Sequence, residues 1–138
     1  MKQLKDYIRP TMKETQRVFV VIKPGFLHLA PQIIKMFEEN GGWEVERMKS
    51  KRLLYTEASK LYENHRKEDW FKPLCNYMSS DICQGIIFKR AGNNFNPFDS
   101  VKTTKHNIRK KYGESDMRNV LHASDNKTRF DIESRIFF

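Results

Sequence analysis

Residues Arg17 to Lys23, RVFVVIK, constrain the fold more than any other stretch of the chain. The run is short, β-branched and almost continuously apolar, and Pro24-Gly25 ends it abruptly. A strand with one face in water alternates apolar and polar residues, whereas one without that alternation is buried on both faces in the middle of a sheet. Lys23 at its end is thereby delivered to the mouth of the sheet. A chain of 138 residues is long enough to close one core around such a strand without disulfides or metals. Ten Phe, five Tyr and two Trp make that core aromatic-rich.

The remaining pattern supplies what packs on it. Ala30, Ile33, Ile34 and Phe37 recur on one helical face, with Pro31 in the first turn and Gly41-Gly42 as the stop. Trp43 to about Leu54 reads as a second strand running into an extended segment. Thr56 is placed to cap a short helix whose Ala58, Leu61, Tyr62 and His65 share a face, and Trp70, Phe71, Leu74, Tyr77 and Met78 mark its partner in a helical hairpin. Ile82 to Phe88 reads as a third strand and Gly92 to Pro97 as loop. From Val101 to Arg118 the chain is polar and basic. Ser115 is then placed to cap a short helix ending near Leu121, and Thr128 to Phe137 forms a last helix with Ile132 and Ile136 inward. Residues 1–16, polar and charged, read as an arm before a domain of residues 17–138. Strands interspersed with paired helices predict an α+β sandwich, ferredoxin-like in outline, with a small antiparallel sheet and helices on one face.

Charge narrows the partners. Lys and Arg total 26 against 17 Asp and Glu, a net +9, which suits nucleotide phosphates, nucleic acid or an acidic surface. No RNP-type aromatic motif or other reading module accompanies it, so nucleic acid is not the expected partner. Cys75 and Cys83 have neither CxxC spacing nor clustered His, and read as two buried thiols of a reducing compartment. No apolar stretch reaches the length of a membrane span, and the N-terminus lacks a secretory core, so a soluble cytoplasmic protein is expected. There is no GxxxxGK[ST] loop and no GxGxxG, so any phosphate must be cradled by side chains.

Which side chains these are is partly legible. Glu133 sits three residues after Phe130 and four before Phe137 on the last helix, so its carboxylate shares a partly apolar face and needs a partner there. His122 follows Val120-Leu121 and precedes Ala123-Ser124-Asp125; locally it reads as a packing histidine as readily as a reactive one. His28, His65 and His106 read as solvent or packing residues. A histidine nucleophile for phosphoryl transfer needs cations around the transferring oxygens, a dry pocket, and a carboxylate on its far nitrogen to fix the tautomer. Lys23, Arg109 and Arg118 are candidate cations, and Tyr62 and Trp70 candidate walls for a base.

The order of these residues resembles the nucleoside diphosphate kinase family: Val21-Ile22-Lys23-Pro24, Tyr62, Trp70-Phe71, Ile108-Arg109, Arg118-Asn119-x-x-His122-Ala123-Ser124-Asp125, then Glu133 and Phe137-Phe138. The resemblance covers about residues 17 to 138 and implies an antiparallel four-stranded sheet covered by helices. It further implies transfer of the γ-phosphoryl of a nucleoside triphosphate such as ATP to a nucleoside diphosphate. His122 would be the phosphohistidine, Glu133 the carboxylate orienting it, and Ser124 the hydroxyl in that network. Lys23 and Arg109 would hold phosphate, Tyr62 would lie beside Lys23 and the histidine, Trp70 would stack on the base, and Asn119 would meet the sugar 3′-hydroxyl. Mg²⁺ is implied as a cofactor carried by the phosphates, without a protein ligand set, with Asp125 reaching it through water. A homo-oligomer is implied as well.

The departures from the family pattern are specific. Lys-Pro-Asp becomes Lys23-Pro24-Gly25, and Phe88 to Arg109 is shortened, so that much of the helix before Asn96-Pro97 is expected to be gone. A second phosphate-binding arginine and a threonine go with it: Phe95 stands at the threonine's place, and Arg90, Lys102 or Lys105 are the cations left to substitute. Lys105-His106 replaces the Pro-Gly of a loop that shapes oligomer contacts. The alternative these changes admit is a catalytically weak or inactive nucleotide-binding scaffold, as in the family's ciliary branch.

Overall fold

The computed structural model describes residues 14–138. The arm expected over residues 1–16 falls outside them as far as residue 13, and Gln16 already opens the first strand. The elements in chain order are β1 (Gln16–Ile22), α1 (Ala30–Gly41), β2 (Glu44–Lys51), α2 (Tyr55–Leu61), α3 (Phe71–Met78), β3 (Cys83–Arg90), α4 (Pro97–Tyr112), β4 (Leu121–Ala123) and α5 (Lys127–Phe137). The strands form one antiparallel sheet in the order β2-β3-β1-β4, an α+β fold of the ferredoxin-like kind.

β1 is the central strand that its composition predicts, and its two faces feed two cores. Val18, Val20 and Ile22 pack with Ile33 and Phe37 of α1, Trp43, Phe88 and the α4 residues Val101 and Ile108. Phe19 and Val21 face Ala58, Leu61, Leu74 and Met78 from α2 and α3, and Phe130 and Phe137 from α5. Helices therefore cover both faces of the sheet, which corrects the expectation of one. The unalternated run RVFVVIK already required this, because each of its faces must be removed from water. α5 approaches β3 so closely that a Cβ on Gly85 would lie 2.7 Å from the Phe137 ring, so glycine there sets the depth at which α5 lies.

Other local readings change. Thr56 does not cap α2: the backbone N–H of Leu54 donates to the Glu57 carboxylate at 2.9 Å. The segment read as polar and basic is the longest helix, α4, whose Asn96 side chain accepts from the N–H groups of Phe98 and Asp99 and whose Pro97 fills the first position. The shortened segment thus keeps a helix after Asn96. The helix expected from Ser115 is absent: Ser115 Oγ accepts from Arg118 N at 3.0 Å, Glu114 and Ser115 donate to the Arg118 carbonyl, and the turn leads into β4. In α5 the buried set is Arg129, Phe130, Glu133, Ser134 and Phe137, with Ile132 and Ile136 only partly covered. Cys75 and Cys83 are buried free thiols, as read. Among the described residues no helix is long and apolar enough to cross a membrane.

Candidate active site

β4 is three residues long and pairs with the end of β1, His122 opposite Val21. Alternation then points His122 to the Phe19/Val21 side of the sheet, where α5 packs, while Leu121 and Ala123 enter the other core. α5 brings Glu133, 2% exposed, to within 2.5 Å of His122 Nε2 through its Oε1. Ser124 Oγ donates to the same oxygen at 2.8 Å, and Arg129 Nε donates to Oε2 at 2.7 Å. Burial alone would raise the Glu133 carboxyl, but the bonds from His122, Arg129 and Ser124 outweigh it and hold the group below its ordinary range. Burial likewise pushes His122 down, only partly opposed by Glu133. The pair is therefore an ionised carboxylate and a neutral imidazole. An ionised carboxylate can only accept, so Nε2 carries the hydrogen and Nδ1 keeps the lone pair.

Around the ring lies a cleft of about 500 Å³ lined by Lys23, Tyr62, Trp70, Arg109, Asn119 and His122, which brings together the predicted binding residues other than Arg118. Lys23, at the end of β1, is 3% exposed; its Nζ donates to the Met117 carbonyl at 3.2 Å. Burial first, then repulsion from Arg109 and Lys105, lowers its pKa to about 7. The Tyr62 ring stands edge-on to His122 at 5.0 Å between centroids, and its phenol is raised by burial and stays protonated. Arg109 Nη2 donates to the Leu121 carbonyl at 2.8 Å, and Asn119 Nδ2 to the Asp116 carbonyl at 2.8 Å. Trp70, 43% exposed, stands at the mouth 5.0 Å from the His65 ring.

The residue before β4 carries strain. Val120 has φ 82°, a left-handed conformation that costs a β-branched residue on the order of 1–3 kcal/mol. Its carbonyl accepts from Lys23 N–H at 2.8 Å, so the strained turn joins the backbones of Lys23 and His122. Behind Lys23, Gly25 at φ 89° leaves room that a Cβ would take from Arg118 Nη2, 2.8 Å away. The Arg118 guanidinium lies over Phe26 and Tyr77, and the Tyr77 hydroxyl donates to the Pro24 carbonyl. Arg118 thus braces the Lys23 turn and does not line the cleft.

Of the three substitute cations, only Lys105 enters the cleft. It lies one helical turn before Arg109 on α4, and burial together with Arg109 lowers its pKa, with Asp125 opposing. Arg90 is engaged elsewhere, over the Trp43 ring and bonded to the Gly41 carbonyl, and Lys102 is exposed. Phe95 is 75% exposed, outside the cleft. Two groups escaped the sequence reading: His65, set aside as a solvent or packing residue, and Arg129, unnoticed. The signal for Arg129 was its spacing, four residues before Glu133. Tyr62 Oη, Arg109 Nε and Asn119 Oδ1 are buried polar atoms without a protein partner among the described residues. That three such atoms belong to residues of one cleft marks it as a site completed by a polar ligand or water.

The match to known proteins spans this whole arrangement. The family model described as "Nucleoside diphosphate kinase" matches residues 16–138. Nucleoside diphosphate kinases from Hyperthermus butylicus and Saccharolobus solfataricus are 34% and 33% identical to the chain, over 89% of it and 92% and 94% of their own lengths. The crystal structure of the Aquifex aeolicus nucleoside diphosphate kinase superposes with a TM-score of 0.72 at 22% identity, covering 91% of this chain and 96% of that one; it has the same fold. Matched by the family model from Gln16 to its last residue, the chain belongs to the nucleoside diphosphate kinase family.

Proposed function

We propose that this chain is an active nucleoside diphosphate kinase working through a phosphoryl group carried on His122. The observation that carries the reading is the bond between His122 Nε2 and Glu133, 2.5 Å long, which assigns the lone pair to Nδ1 in a cleft lined by three cations. That lone pair attacks the γ-phosphorus of a nucleoside triphosphate. The bond to the β-bridging oxygen breaks, and the nucleoside diphosphate leaves with its electrons. A second nucleoside diphosphate takes the phosphoryl group from Nδ1 by the reverse path, giving ping-pong kinetics. Lys23, Lys105 and Arg109 hold the phosphate oxygens, Lys105 supplying the charge of the family's missing arginine. The Tyr62 hydroxyl donates to an oxygen beside them, Asn119 meets the sugar, and Trp70 stacks on the base.

Mg²⁺ carried on the phosphates would offset part of their charge. The cleft fits an ion brought by substrate in one respect: Asp125 lines it and can approach such an ion through water. Assembly into a homo-oligomer has support in β2, a sheet edge with exposed Val45 and Met48. Paired antiparallel with a second copy, its sequence EVERMKSK sets Glu44 and Glu46 against Lys51 and Lys49.

The test is incubation with γ-labelled ATP and Mg²⁺. Acid-labile, base-stable label on the wild type, absent from His122→Ala and discharged by GDP or UDP, is the expected result. Nucleotide binding without such label would leave the alternative, a nucleotide-binding scaffold.

A further inference from the structure

α5 buries two charges one turn apart, Arg129 at 7% and Glu133 at 2% exposure. The guanidinium reaches beyond its partner. Nη2 donates to the Lys60 carbonyl at 3.0 Å and the Leu61 carbonyl at 3.4 Å, the last carbonyls of α2, where a cation is favoured. Nη1 lies 3.6 Å from Glu63 Oε1 on the turn that follows. Between them comes Tyr62, whose ring stands against His122. One side chain therefore touches the carboxylate that orients the histidine and the chain segment that walls it in.

Orientation alone does not need this arginine. Oε1 already receives His122 and Ser124, which settles which ring nitrogen faces the carboxylate. Had Oε2 only a neutral donor, the full charge of Glu133 would face the ring and favour the imidazolium, which has no lone pair to attack with. A charge-assisted bond on Oε2 draws that charge away from the histidine.

We propose that Arg129 is a positioning residue that limits how strongly Glu133 draws a proton onto His122, and that ties this carboxylate to the turn carrying Tyr62. The inference rests on the reading of His122 as the nucleophile, but its first test needs no turnover. The charged and titratable groups around His122 and its cleft are Glu133 from α5, Lys23 from the end of β1, Lys105 and Arg109 from α4, Tyr62 and His65 after α2, and Asp116 and Asp125 before and after β4. Substituting Arg129 changes none of them chemically.

The protonation of His122 is followed by NMR of its ring nitrogens in Arg129→Gln, Arg129→Lys and the wild type. In Arg129→Gln the midpoint moves up by about one pH unit, and the acid limb of kcat/KM moves with it. Arg129→Lys, which keeps the cation, restores at least half of that shift. Loss of a purely structural contact would lower kcat at every pH and leave the midpoint where it was. An unmoved midpoint in folded Arg129→Gln, or an equal shift in Arg129→Lys, overturns the proposal. If Arg129→Gln does not fold, Glu63→Gln carries the test: freeing Arg129 of its second carboxylate moves the midpoint down by roughly 0.3 units, and no movement overturns it. An unlabelled wild type in the ATP experiment speaks against phosphoryl transfer, whereas an unmoved midpoint speaks against Arg129.

Discussion

The two sides of the cleft are built on opposite terms. Behind His122, both oxygens of Glu133 are bonded, by His122 and Ser124 on one and Arg129 on the other, and the ion pair there is compensated within the protein. Facing the ring, Lys23 and Lys105 have no ion-pair partner among the described residues, both are lowered in pKa by burial and by Arg109, and Arg109 Nε and Tyr62 Oη lack partners. The first region is finished without substrate; the second is held at a cost that an anion would relieve. Removing charge should therefore damage stability behind the histidine and improve it in front, while both changes lower activity.

The sharpest form of that contrast is Lys105→Met. Loss of a phosphate-holding cation lowers kcat about 10²- to 10³-fold, yet thermal unfolding without ligand rises by a few degrees, because an unpaired, half-buried charge is gone. Melting and steady-state assays on the same preparation check both halves; a fall in melting temperature would break the comparison. Glu133→Gln is the counterpart. It leaves Arg129 without its main counter-charge and destabilises the fold by about 3 kcal/mol, measured by denaturant unfolding, and it frees the imidazole tautomer so that kcat falls about 10²-fold.

The next effect is on pH. In the free protein Lys23 loses its proton near pH 7, well below the range of an unfolded lysine. The folded state then binds fewer protons than the unfolded one between about pH 7 and the ordinary lysine pKa, so this group makes stability rise with pH across that window. Phosphate favours the protonated form. Nucleoside diphosphate should therefore bind with proton uptake above pH 7, its Kd weakening by at most about tenfold per unit. Calorimetry in two buffers of different ionisation enthalpy reads the uptake, and equal enthalpies in both would contradict it. The smallest effect is at the exposed mouth: Trp70→Ala raises KM roughly three- to tenfold with kcat nearly unchanged, as kinetics over a substrate series would show.

How far the sequence disclosed this depends on what each residue needed to be recognised. β1 was legible because RVFVVIK has one physical reading and Pro24-Gly25 marks its end. α4 was not, because its buried positions Val101, Thr104 and Ile108 are diluted by six Lys, Arg or His, and Asn96-Pro97, which begins it, was read as loop. β4 is too short to show a period, so His122 looked like part of a helix end and not a strand. The partnership of His122 with Glu133 spans eleven residues and depends on how deep α5 lies against Gly85; residue order in a known family suggested it, and local pattern did not. Arg129 was missed for the opposite reason, although its spacing from Glu133 was there to be read. A basic residue on a terminal helix reads as solvated, and only the placement of α2 against α5 buries it.

The central claim is that Glu133 takes Nε2 and so leaves Nδ1 to react. The most direct measurement is ³¹P NMR of the phosphoenzyme trapped with ATP and unfolded in base, where the two phosphohistidine isomers are distinguishable. The expected result is phosphate on Nδ1 of His122, lost in His122→Ala. Phosphate on Nε2, or on another residue, would contradict the account.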